Sequence, residues 1–230
     1  MSEKLGLFLR ENNIEVLPRK EIEREKRELR FYDPLEYLNT LSEIHKEFLK
    51  EENRIRFKFR NDIWKQVQIF KLWSRRVERL EDSNKLINKA LDASKKSLEC
   101  IYNISYKELI RRAMEREEVC IGRIYYKVKN GDKRIFIKNT ENIKFNMVEE
   151  DYYNYLKKIR GNYKDELKDL LLEVVEKESL DFKSYFYINS LIEYPYNSMR
   201  YLQNNYIKDL KIKSNELEEL LVKDYLIWIC

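Results

Sequence analysis

Between Val119 and Thr140 the chain strings Cys120, Arg123, Lys127, Asn139 and Thr140 along a strand–turn–strand pattern. Ile124, Tyr126 and Val128 alternate with Tyr125 and Lys127; Asn130-Gly131 is a strong two-residue turn signal, and Arg134 to Ile137 supply a returning strand. A loop before such a hairpin and another behind it could arrange phosphoryl transfer. That chemistry needs a carboxylate to orient or deprotonate the attacking hydroxyl, and oxygen ligands for magnesium. The one acid in this stretch is Asp132, beside the turn. Arg123 accepts no proton at physiological pH, and Asn139 contributes no negative charge. The layout is present without its chemistry.

Two other reactive side chains read as structural. No base is indicated beside Cys120, so it is expected to be a buried small apolar residue rather than a nucleophile. His45 lies beside an apolar stripe with no Ser, Cys or carboxylate partner suggested nearby, the pattern of a packed or half-exposed helix histidine. Cys100, Cys120 and Cys230 are odd in number and widely spaced, and with a single histidine they lack zinc-site spacing. No catalytic, cofactor-binding or metal-binding residue is assigned. Free thiols in a reducing compartment are expected.

Helices must hold those loops, and the apolar spacing supplies them. Residues 1 to about 30 form a short amphipathic start (Leu5, Leu7, Phe8, Leu9) and a charged stretch. Asp33-Pro34-Leu35-Glu36 is a capping box with proline at the first helical position. Leu35, Leu38, Leu41, Ile44 and Phe48 continue it at helical spacing. A second helix is predicted from about Asn61 to Glu81 (Ile63, Val67, Phe70, Trp73, Val77) and a third after Ser83 (Ile87, Ala90, Leu91, Leu98, Ile101). Ser105-Tyr106-Lys107-Glu108 caps a fourth, through Leu109, Ala113 and Met114. Beyond the hairpin, apolar faces follow at Tyr152–Ile159, Leu167–Val175, Phe182–Ile192 (ended by Pro195) and Met199–Leu210. A last one runs from a cap near Ser214 to Trp228. The expected fold is mainly α: four helices, one small β-hairpin near residues 119–138, then about five helices.

At 230 residues one substantial core can form, and a hydrophobic fraction of 43% excludes general disorder. With 4 Gly and 3 Pro there is little material for a many-stranded sheet. The net charge of +5 is a small difference between 46 basic and 41 acidic side chains, interspersed as in Glu21–Glu28. Such runs are solvated helix faces, so nucleic acid is not an expected partner. No signal-peptide core or membrane-length apolar segment is seen, and a cytosolic protein is expected.

Helices, one hairpin and more helices is also the layout of the larger lobe of kinase-like phosphotransferases. Over roughly residues 31–225 the chain resembles the spore coat CotS/CotI/YutH family of the aminoglycoside phosphotransferase and choline kinase superfamily. The resemblance is carried by Phe31–Leu35 and Ser42-Glu43-Ile44-His45-Lys46, by Ser105–Ala113, by the hairpin, and by Glu141–Met147 with Asp151–Leu156. The family loop reads H-G-D-x-x-x-H-N, followed after the hairpin by I-D-F or I-D-Y. Here Ile121 stands for the first histidine, Gly122 is kept, and Arg123 replaces the aspartate that would act on the attacking hydroxyl. Lys127 and Val128 take the places of the His-Asn whose asparagine would hold magnesium, and Asn139-Thr140 replaces the metal-bridging Asp-Phe. Asp151 matches an aspartate that props up the loop backbone; a solvated helix N-cap is the other role open to it.

The family's nucleotide-binding lobe has no counterpart in residues 1–30, which lack a glycine-rich strand-turn-strand, while residues 31–230 match the helical lobe. Lys20 and Lys26, the candidates for a phosphate-pairing lysine, read as solvated surface residues. The resemblance thus implies a pseudokinase-type, non-catalytic coat or scaffold protein without cofactor, made in the mother-cell cytoplasm and acting through contacts with other coat proteins or copies of itself. Tyr152, Tyr153, Tyr155, Tyr194, Tyr196, Tyr201 and Tyr206 are candidates for an interface or oxidative cross-linking, or for core residues with hydroxyls in water. A surviving phosphotransferase using Asp132, Glu141 or Asp151 as metal ligands is one alternative. A single-strand nucleic-acid binder using Arg54, Arg56, Lys58 and Arg60 with Phe57 and Phe59 is the other. The bland reading of that last segment is an extended linker with inward aromatics.

Overall fold

A computed structural model describes residues 3–18, 20–21, 33–50, 55–80, 84–129 and 132–224. It is mainly helical, with a few small strands. The helices among these residues are α1 (Glu3–Glu11), α2 (Pro34–Leu49), α3 (Asp62–Val77), α4 (Lys85–Asn103) and α5 (Tyr106–Glu115). They continue as α6 (Glu149–Ile159), α7 (Leu167–Lys177), α8 (Phe182–Glu193), α9 (Tyr196–Lys208) and α10 (Ser214–Lys223). The strands are β1 (Ile14–Val16), β2 (Val119–Cys120), β3 (Ile124–Lys129), β4 (Asp132–Ile137) and β5 (Lys144–Phe145).

The chain divides into two compact units, residues 1–60 with 107–184, and residues 61–106 with 185–230. In the first, β1 runs parallel to β4, which pairs antiparallel with β3, giving the order β1-β4-β3. The N-terminal residues are built into this unit. Ile135 donates its amide to the Asn13 carbonyl at 3.0 Å, Leu17 donates to Ile137 at 3.0 Å, and Phe8 of α1 stacks on Phe48 of α2 at 4.0 Å. A second sheet pairs β2 with β5, and Phe59 bridges in parallel to Phe145 on the other side of β5. The second unit is helical: α3 packs on α4 and α9, and α10 on α4 and α9. Phe70 and Tyr194 stack at 3.7 Å in its core.

Helix starts follow the capping chemistry. Asp33 accepts from the Leu35 amide at 3.2 Å, with Pro34 at the first helical position, and Asn61 accepts from Trp64 at 3.0 Å. Asn84 caps α4, accepting from Leu86 at 2.9 Å; Ser83, like Tyr225 and Trp228, lies outside the described residues. The strand expected to start at Val119 is divided. Gly122 takes a φ of +77°, a left-handed value that ends β2 and lets the chain re-enter as β3. Val119-Cys120 therefore pair with Phe145-Lys144, and the hairpin proper runs from Ile124 to Ile137. The Asn130-Gly131 turn lies outside the described residues, but pairing of Lys129 with Asp132 leaves a two-residue connection there. No helix among the described residues is long and apolar enough to cross a membrane.

Candidate functional site

Three consecutive acids, Glu149, Glu150 and Asp151, open α6, and all three are buried. The helix dipole favours anions in a first turn, but burying carboxylates is costly unless each is paired. Each has its own partners in the first unit. Glu149 accepts from Arg112 at 2.8 Å and from the Ser184 hydroxyl at 2.7 Å. Glu150 takes Lys144 and the Asn146 amide. Asp151 takes the loop: its Oδ2 accepts from the Ile121 amide at 2.8 Å and its Oδ1 from the Gly122 amide at 3.0 Å. Asp151 thus holds the backbone between β2 and β3, and at 3% exposure it is not a solvated cap.

His45 completes this arrangement. α2 buries Leu38, Leu41, Ile44 and Phe48 along one stripe and carries the imidazole in with them. Its Nε2 lies 3.1 Å from Asp151 Oδ2 and its Nδ1 2.9 Å from Glu178 Oε1. Glu178, just beyond α7, also accepts from the Tyr152 hydroxyl. Burial alone would lower the imidazole pKa, but Glu178 and Asp151 outweigh it and raise the value to about 10, so His45 is an imidazolium at neutral pH. Burial would raise Glu178, yet the charge and hydrogen bond of His45 hold its carboxyl below the usual range. Burial and the nearby Glu178 push the Tyr152 phenol well up, which keeps it a donor.

A second charged cluster in the same unit centres on Arg112. Arg112 forks onto Glu118 at 2.9 and 3.0 Å, and Glu118 also accepts from the Val148 amide at 3.2 Å. Burial raises Glu118, while Arg112 pulls it down by less. Cys120 donates its thiol to the Met147 carbonyl at 2.9 Å, and burial raises its pKa well above the ordinary thiol value. It is an inert core residue.

Of the residues that the family resemblance sets at phosphoryl-transfer positions, Ile121 is buried, and the exposed Arg123 guanidinium lies 4.8 Å from the Tyr125 ring centre. Asn139 is half-buried with a buried Oδ1 that has no hydrogen-bond partner among the described residues, and Glu141 is exposed in a short 3₁₀ turn, Thr140–Asn142. Lys127 and Val128 pair with Arg134 and Lys133 across the hairpin. Lys20 is exposed; Lys26, Arg54 and the side chain of Asp132 lie outside what is described.

Sequence reasoning supplied no carboxylate partner for His45, and the structure supplies two. They arrive from 106 and 133 residues away, so no local spacing announces them. Arg112 meets Glu149 across 37 residues, whereas Arg112 with Glu118 and Lys144 with Glu150 are only six apart, a separation that no single helix or strand period brings together. The tyrosines also differ from an exposed interface set. Tyr152, Tyr153 and Tyr194 are buried, the other four are half-buried, and the Tyr194 hydroxyl donates to the Phe70 carbonyl at 3.1 Å instead of to water. The chain matches no family model, no curated protein and no solved structure.

Proposed function

We propose that this chain is a non-catalytic, kinase-like scaffold protein of the spore coat type, of a spore-forming bacterium, working through contacts with other proteins. One observation carries this reading: the acid buried beside the loop, Asp151, holds the loop backbone, and the exposed side chain on the loop itself is a cation, Arg123. Both oxygens of Asp151 are spent on the Ile121 and Gly122 amides, and one of them also meets His45. The three bonds that Asp151 makes support a structural role for it, holding the loop and pairing with His45. Arg123 over Tyr125 supports the same view, since it puts a cation where metal chemistry gathers anions.

The test is thermal unfolding with millimolar nucleotide and magnesium, together with a phosphate-release assay. Ligand binding to the folded state alone would raise the melting temperature by mass action. No magnesium-dependent shift and no turnover are expected. A rise of several degrees that needs both nucleotide and metal would replace this reading with that of a phosphotransferase using a rearranged site.

A further inference from the structure

Of the connection between α2 and α3, residues 55–60 are described, and Phe59 forms an isolated parallel bridge to Phe145 on the outer side of β5. Residues 55–60 run alongside β5: the Phe145 amide donates to the Lys58 carbonyl at 3.2 Å, and the Arg60 amide donates to the Phe145 carbonyl at 3.1 Å. In that parallel pattern Phe59's own N–H and C=O point to the opposite edge, where no described residue pairs with them. Side chains alternate along it. Arg56, Lys58 and Arg60 are exposed on one face, and Arg56 and Lys58 form no ion pair with a described residue. On the other face Ile55 and Phe57 are half-buried and Phe59 is 45% exposed; a groove of about 540 Å³ beside the segment is lined by Phe48, Ile55, Phe57, Val119 and Phe145, with Arg56 and Glu117 as its charged members.

We infer that this edge takes an extended acidic peptide of a partner protein as an added β-strand. Alternation on the added strand would lay apolar side chains on the Phe59 side and carboxylates opposite Arg56 and Lys58, since cross-strand neighbours share a face. The charges decide among occupants. A second copy of the same edge would set cation against cation, which is unfavourable directly across a sheet. A nucleic-acid strand needs successive rings to stack on. Phe57 is instead held edge-on between Phe48 and Phe145, at 81° and 82°, leaving Phe59 as the exposed ring of the segment. This inference stands apart from the scaffold reading, because an active enzyme could carry the same edge.

The probe is a fluorescent peptide of about eight residues, alternating glutamate with valine and phenylalanine, titrated by anisotropy against the full-length protein. Binding that weakens with salt is expected, and Arg56→Glu with Lys58→Glu should weaken it at least about tenfold. Strand addition uses the amides of alternate residues only. N-methylation of every second amide should therefore abolish binding in one register and spare it in the other, a control that leaves the protein untouched. Equal effects of the two methylation registers would overturn the inference, as would no binding, or oligothymidylate binding in place of the peptide. The nucleotide melts fail or succeed independently of all these results.

Discussion

His45 is the residue on which the first unit's charge balance turns. It sits at 1% exposure between Asp151 and Glu178, whose negative charges would otherwise face each other in a dry interior. Removing one partner of a buried ion pair typically costs about 3–5 kcal/mol, because the remaining charge stays desolvated. His45→Gln should therefore lose about that much stability in urea denaturation; a loss under about 1 kcal/mol would mean that the carboxylates are already neutral. The sign of the pH dependence is fixed too. The imidazole binds its proton more tightly folded than unfolded, so its contribution is complete below pH 6.5 and drains away as pH rises to about 10. Glu178, held low, contributes above the ordinary carboxylate range and loses its contribution as acid protonates it. In His45→Gln the alkaline slope between those two imidazole values should disappear.

At the scale of elements, the loop between β2 and β3 is set by one glycine and one aspartate. Gly122 is left-handed, and a Cβ there would meet Asn142 Cβ at 3.1 Å. Gly122→Ala should cost about 1–3 kcal/mol, combining the left-handed penalty with that contact. Unchanged stability in urea would show that the loop relaxes freely. Elements like α2 were legible because their signals are local: Asp33 and Pro34 mark its start, and the stripe from Leu38 to Phe48 marks its buried face. Tertiary pairing was not. β1 and β5 are three and two residues long, too short for an alternation to register, and each exists because a partner strand satisfies its backbone. The site was half legible for the same reason. Asp151's hold on the loop was one of two roles open to it, whereas Glu178 and Arg112 look like any solvated charges until the fold brings them in.

Across the whole molecule, the ionic networks are unevenly shared. His45 with Asp151 and Glu178, Arg112 with Glu118 and Glu149, and Lys144 with Glu150 all belong to the first unit. The second relies on apolar packing and on neutral bonds such as Ser74 with Ser94 at 3.0 Å and Ser97 to the Ser190 carbonyl; its buried Asp224 accepts from the Ser198 amide, and ion pairs such as Lys95 with Glu78 lie at its surface. Alkali should therefore loosen the first unit ahead of the second, and the chain carries a reporter for each. Among the described residues the tryptophans, Trp64 and Trp73, lie in the second unit, while Cys120 is fully buried in the first. In a Cys100→Ser, Cys230→Ser background, Cys120 labelling can be measured relative to unfolded protein at each pH, which removes the thiol's own ionisation. Raising the pH from 6.5 to about 10 should lower its protection by roughly two orders of magnitude or more, as the imidazolium is lost. Tryptophan emission should hold its wavelength over the same range. If emission shifts first, or if protection is flat, the buried imidazolium is not what ties the first unit together.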